Sequence, residues 1–195
     1  MKRILTCLLA LLLLATLVGC GKNEAGDIPS GMQLASSEDA DYLFYVPADW
    51  LIDKSALYSA AYYSPGADAT SISVAAYGMS ALPVSDTSDA EGETTAAEVS
   101  AAEAMISGWW KSFEEEFGAT FASMEVTATE STALGGMEAV KYSFDATLAG
   151  KEYRYIVAAT MRGSYIYYVT YTSTPEYYEE HLEALDQVLT HFAFK

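Results

Sequence analysis

Residues 165–172 read Tyr-Ile-Tyr-Tyr-Val-Thr-Tyr-Thr, a strand-forming run with apolar or aromatic side chains at both odd and even positions. Successive side chains of a strand point to opposite faces of its sheet. A strand that is apolar on both faces must be covered on both faces. The run therefore predicts a central strand in a sheet with a layer on either side.

The segments before it supply neighbours. Residues 137–148 alternate, with Val140, Tyr142, Phe144, Ala146 and Leu148 on one face and Lys141, Ser143, Asp145 and Thr147 on the other. Ala149-Gly150 is a hairpin turn, residues 151–161 form the returning strand, and Arg162-Gly163-Ser164 turns into 165–172. Upstream, 122–132 is a strand that turns at Gly135-Gly136. Consecutive hairpins imply antiparallel order. Residues 57–64 and 70–78 read as two further strands joined by Pro65-Gly66-Ala67-Asp68, where proline fixes φ and glycine permits positive φ. Residues 42–46 open the folded part, and Pro47-Ala48-Asp49-Trp50 turns Trp50 back to the core.

Two helices provide the layers. Thr95-x-x-Glu98 and Ser100-x-x-Glu103 are capping boxes ahead of the first. Ala102, Ile106, Trp109, Phe113 and Phe117 then recur on one helical face, and Gly118 is placed to end the helix. The second is expected to start with Thr174 as N-cap and Pro175 in the first turn. Glu176, Glu179 and Glu180 sit near its positive end. Tyr178, Leu182, Leu185 and Leu189 form its buried stripe, and Phe192-Ala193-Phe194 closes the fold. The expected class is α+β, an antiparallel sheet of about six to seven strands sandwiched between helices.

Ahead of this domain, Lys2 and Arg3 precede an apolar stretch, Ile4 to Val18, that is short for a membrane span of about 20 residues. It fits the hydrophobic region of an export signal. The segment ends in Leu17-Val18-Gly19-Cys20, which resembles the lipobox of bacterial lipoproteins. The resemblance implies a diacylglyceryl group on the Cys20 thiol, cleavage after Gly19 and residence on the extracytoplasmic face of the cell membrane. Two acyl chains suffice for stable anchoring where one does not. The expected organisation is a signal peptide at 1–19, a lipidated cysteine with its tether at 20–40, and one domain at 41–195. A flexible tether of that length reaches about 25 Å.

The chain carries a net charge of −17, and loss of Lys2 and Arg3 makes it more acidic. Nucleic acid demands Lys and Arg to displace counterions, so it is not an expected partner. Attraction to anionic lipid is not expected either. Of two cysteines, Cys7 leaves with the signal and Cys20 carries lipid, so an internal disulfide is not expected.

The chemistry-bearing residues are sparse. The chain has two histidines. His181, among Glu179, Glu180 and Glu183, reads as lying on the polar side of the last helix, and His191 as capping its end. Structural roles are expected for both. Zinc needs three or four ligands of the His, Cys or acidic type, so no metal site is expected. The acidic loop 79–94, with Asp89-Ala90-Glu91-Gly92-Glu93, lacks the register of a calcium loop and reads as solvated. Glu114-Glu115-Glu116 reads as a solvated helix face, with Lys111 pairing to Glu115. Tyr58, Tyr62, Tyr63, Tyr165, Tyr167, Tyr168 and Tyr171 cannot all be buried comfortably, because each hydroxyl needs a partner; packing of the sheet against two helices is the expected use of most, and an exposed groove or patch the alternative. Tyr58, Tyr62, Tyr63, Tyr165 and Tyr167, with Trp109 and Trp110 of the first helix, are the candidate binding surface.

The order of these signals resembles a known family. Tyr45-x-Pro47-x-x-Trp50 opens the domain, and Gly136-x-Glu138-Ala139-x-x-Tyr142-x-Phe144 follows the first helix. Arg154, the strand Ile166-Tyr167-Tyr168-Val169-Thr170, Pro175-Glu176 and His191-Phe192 come after. This pattern, over roughly residues 40–195, is similar to the PsbP-like family and to the lipoproteins of Gram-positive bacteria that share its fold. The resemblance implies an αβα sandwich that binds or assembles, with no enzyme activity and no cofactor. The basic docking segment and charge of the photosynthetic members are missing, so photosystem binding is not carried over. The expected function is a membrane-anchored module for an envelope protein, with a carbohydrate or cell-wall module using the tyrosines as the alternative.

Overall fold

The computed structural model describes residues 27–53, 59–79 and 100–195. Gly19, Cys20, Tyr58, most of the acidic loop and the Thr95 capping box lie outside them.

Eleven strands and two α-helices are described in chain order: β1 Met32–Leu34, β2 Tyr42–Leu43, β3 Tyr45–Pro47, β4 Leu51–Asp53, β5 Ser59–Tyr62, β6 Ser71–Gly78, α1 Ala101–Gly118, β7 Ser123–Leu134, β8 Met137–Leu148, β9 Lys151–Arg162, β10 Tyr165–Ser173, α2 Leu182–His191 and β11 Ala193–Phe194. The main sheet has seven strands in the order β4-β5-β6-β10-β9-β8-β7, and every pairing in it is antiparallel. The two-faced run β10 is its middle strand, as the pattern requires. Two small sheets, β1-β3 and β11-β2, lie outside it.

Each face of the sheet has its own core. Tyr167, Val169 and Tyr171 of β10 pack with Ile72, Val74, Leu185, Val188, Phe44 and Trp50 on the side of α2. Ile166 and the half-buried Tyr168 pack on the other side with Ile106, Trp109, Trp110, Tyr142 and Phe144, beneath α1. Helix α1 starts where the capping box predicts: Ser100 Oγ accepts a hydrogen bond from the Glu103 amide at 3.1 Å. Such a cap contributes about 1 kcal/mol. Gly118 is the last helical residue, and the C-cap is Ala119 in a right-handed conformation.

The turns follow backbone chemistry. Ala149 and Gly150 have φ of 50° and 77°, as a two-residue hairpin loop needs at both positions. At Gly135, φ is 60° and a Cβ would lie 2.8 Å from the Phe194 ring, so both backbone and space demand glycine.

Several expectations give way to the structure. The segment read as tether up to residue 40 already contains β1, which pairs with β3, and Ala35 and Ser36 are buried. The stretch 42–46 is not one strand. Tyr42–Leu43 pairs with β11 and Tyr45–Pro47 with β1. The last helix does not begin at Thr174. Residues 174–178 form turns, Glu179–His181 is a short 3-10 turn, and α2 begins at Leu182. Thr174 Oγ1 is buried and makes no capping bond. Tertiary hydrogen bonds hold this segment in another shape, as described below. Phe117, expected in the core, is 45% exposed, and Trp110 takes the buried place instead.

Candidate functional site

The sheet is only partly covered on its α2 side. Toward the β7 edge, alternation places polar side chains on that face in two cross-strand rows. One row is Ser123, Thr147 and Glu152, and the next is Glu125, Asp145, Arg154 and Ser173. With Pro175 as a wall, residues of these rows line a groove of about 270 Å³. Ser123 Oγ donates to Thr147 Oγ1 at 3.0 Å. Arg154 Nε lies 3.6 Å from Asp145 Oδ1, and its guanidinium sits 5.4 Å from the centre of the Tyr178 ring. The groove lining thus holds three carboxylates, Glu125, Asp145 and Glu152, and one guanidinium that already has two partners. The side chains of Arg154 and Asp145 are 41% and 50% exposed, so this is a solvated ion pair.

Beneath the same segment lies a buried polar network. His181 Nε2 is 2.6 Å from Asp68 Oδ2, with the two side chains 11% and 4% exposed. Asp68 Oδ1 accepts from the Thr70 amide at 2.8 Å and the Thr70 hydroxyl at 2.6 Å. Ser173 Oγ lies 2.7 Å from Thr70 Oγ1 and 3.2 Å from the Thr174 carbonyl. Trp50 meets the His181 ring edge-on at 5.6 Å, and Tyr63 packs at 4.3 Å. Burial pushes the Asp68 carboxyl up, but the bonds from Thr70 and His181 outweigh it and hold the group below the ordinary carboxylate range. Shielded from solvent, the pair acts as a cross-link between the β5–β6 turn and the start of α2.

This corrects the placement of His181 on a polar helix face. The signal was present in the spacing. His181, Leu185, Val188 and Phe192 recur at steps of four, three and four, and all are buried. The acidic neighbours Glu179, Glu180 and Glu183 masked that stripe. Asp68-x-Thr70 is likewise a local side-chain-to-backbone turn readable from sequence.

The proposed aromatic surface is not assembled. Trp109 and Trp110 are 2% and 5% exposed, because α1 lays them on the sheet: Trp110 stacks on Tyr142 at 4.0 Å and 3°. Tyr167 is also buried, and its hydroxyl donates to Asp41 Oδ2 at 2.6 Å. Burial first, and this bond next, push its pKa to about 12. Tyr63 is half-buried against His181. Tyr62 and Tyr165 are exposed, but at opposite ends of β6, where they pair with Ser71 and Gly78. Neither a patch nor a coplanar floor of tyrosines forms from these described residues.

Among the described residues, no group of three His, Cys, Asp or Glu is placed to hold a metal. No helix among them is long and apolar enough to cross a membrane.

No protein-family model matches the sequence, and neither does any curated protein sequence. Solved structures do match. The solution structure of cyanobacterial PsbP from Synechocystis sp. PCC 6803 aligns with a TM-score of 0.56 and 14% identity, over 92% of this chain and 99% of that one. LpqN, involved in cell envelope biogenesis of Mycobacterium tuberculosis, aligns with a TM-score of 0.53 and 11% identity, over 84% and 90%. A Pseudomonas aeruginosa protein of unknown function aligns with a TM-score of 0.52 and 14% identity, over 82% and 94%. At these identities the likeness concerns the backbone, and it agrees with the strand order and the two covered faces: the domain has the PsbP-like fold.

Proposed function

We propose that this chain is an extracytoplasmic lipoprotein, anchored through a diacylglyceryl group on Cys20, whose domain is a non-enzymatic binding or assembly module for an envelope protein. The observation that carries the reading is the solvated groove. Asp145 and Arg154 remain in water while paired at 3.6 Å. Charges in water exchange one partner for another at little cost, which suits docking. Three carboxylates against one guanidinium favour a basic surface on the partner. LpqN, with the same fold, is tied to envelope biogenesis, which is consistent with such a setting. The sequence around Cys20 supports the anchor.

The test has two arms. Membrane fractions of cells expressing the full chain are expected to retain it, and Cys20→Ala is expected to release the folded domain. Retention of Cys20→Ala through a high-salt wash counts against the lipid anchor. Crosslinking in native membranes is then compared for the wild-type chain and for Asp145→Lys with Glu125→Lys. The reversed charges are expected to abolish the crosslinked species. Unchanged species from the variant rule out the groove as the docking face.

A further inference from the structure

Residues 174–181 connect β10 to α2 and form one wall of the groove through Pro175. Outside its short 3-10 turn at Glu179–His181, two backbone bonds lie within the segment: the Tyr177 amide to the Thr174 carbonyl at 3.2 Å, and the Glu180 amide to the Tyr177 carbonyl at 3.1 Å. Its position is set from outside. The Tyr171 hydroxyl donates to the Tyr178 carbonyl at 2.6 Å. Ser173 joins Thr70 at one end, and Asp68 joins His181 at the other.

We propose that the Asp68–His181 pair is a latch holding the 174–181 segment, and with it the groove wall, and that full protonation of the pair releases it. Ionised Asp68 accepts three hydrogen bonds, from the Thr70 amide, the Thr70 hydroxyl and His181 Nε2. Once both partners are fully protonated, two donors meet across the 2.6 Å gap. The alternative is a proton on Oδ1, which displaces a bond from Thr70. Either way a buried polar group loses its partner, and that costs more than an exposed pair would.

The surroundings leave the pair as the acid-sensitive element. Trp50 and Tyr63 pack on the imidazole and carry no charge in acid. Tyr171 of β10, and Tyr177 of the segment, lie within electrostatic reach of Asp68 and are protonated throughout the acid range. Glu176, Glu179, Glu180 and Glu183 on the segment and the start of α2 are exposed. Arg154, on the far side of the segment, faces the Tyr178 ring. The added proton therefore acts on a bond that ties the segment to the sheet, while the nearby carboxylates lie at the surface. The hydrogen bonds to Asp68 set the opening below the ordinary carboxylate range, so the latch holds at neutral pH.

Hydrogen–deuterium exchange of the full chain in detergent micelles, read as protection factors, tests the latch. Between about pH 6 and about pH 3, peptides covering 174–182 are expected to lose about tenfold in protection, the equivalent of one net hydrogen bond. Peptides from α1 are expected to keep theirs. Asp68→Asn, which keeps the shape but not the titration, is expected to show low protection of 174–182 at both values. Should Asp68→Asn fail to fold, His181→Gln replaces it, and the opening is expected to move up toward the ordinary carboxylate range. Three outcomes overturn the proposal: a wild-type segment that stays protected until α1 also opens, an unchanged acid transition in Asp68→Asn, or an unmoved midpoint in His181→Gln. The measurement uses no partner, so it succeeds or fails independently of the docking function.

Discussion

Replacing Trp110 by alanine separates a core role from a surface role. The side chain is 5% exposed and lies between α1 and the sheet. It stacks on Tyr142 at 4.0 Å and 3°, on Phe113 at 5.0 Å and 17°, and meets Phe144 at 5.7 Å. Truncating a buried tryptophan typically costs about 3–5 kcal/mol, and lost aromatic pairing places this site toward the upper half of that range. With a urea dependence of about 2 kcal/mol/M, a loss of about 4 kcal/mol lowers the unfolding midpoint by about 2 M. Trp110→Phe keeps a ring over Tyr142 and is expected to cost about 1–2 kcal/mol. Equilibrium unfolding followed by far-ultraviolet circular dichroism measures both. Tyr62→Ala, at a 38% exposed position, is the control and is expected to stay within about 0.5 kcal/mol of wild type. The reasoning is refuted if Trp110→Ala costs less than about 1 kcal/mol with an unchanged slope. That result would return Trp110 to the surface.

Two further outcomes follow from the geometry. Tyr167 is held protonated up to about pH 12 by burial and its bond to Asp41, whereas the unfolded chain releases that proton near 10. The native state then binds more protons between those values, so stability falls as pH rises through them. Urea unfolding at pH 9 and pH 11 is expected to show a smaller decline for Tyr167→Phe than for wild type, and equal declines would contradict the assignment. Gly135→Ala forces a side chain into a positive-φ backbone and against the Phe194 ring at 2.8 Å. A thermal midpoint lowered by several degrees is expected, matching about 1–2 kcal/mol for the backbone alone, and an unaltered midpoint would remove the claim of a close approach.

Much of the architecture was legible because it depends on local pattern. The two-faced run of β10 has one stable place, the middle of a covered sheet, and it lies there. The alternation of β8, the positive-φ turn at Ala149-Gly150 and the Ser100 cap are properties of a few adjacent residues. They hold in the structure because no distant contact opposes them. The candidate site was less legible. Its two polar rows run across four strands, and a single strand contributes at most one member to each row. Trp110 looked available for binding because it lies off the stripe that carries Ile106 and Trp109, and its burial depends on what α1 packs against.

The sequence by itself determined the strand order of the β7–β10 meander, the central strand of the sheet and the start of α1, since hydrophobic period and turn chemistry act over short distances. Only the tertiary structure decided the course of 174–181. Thr174-Pro175 is a good helix start, and the local preference of about 1 kcal/mol for such a cap was overruled. Asp68, 113 residues away, draws His181 into a 2.6 Å bond, and the Tyr171 hydroxyl donates to the Tyr178 carbonyl. Partners so distant along the chain meet only after the sheet has formed. Through them, one face of β10 is covered and the groove beside it receives its wall.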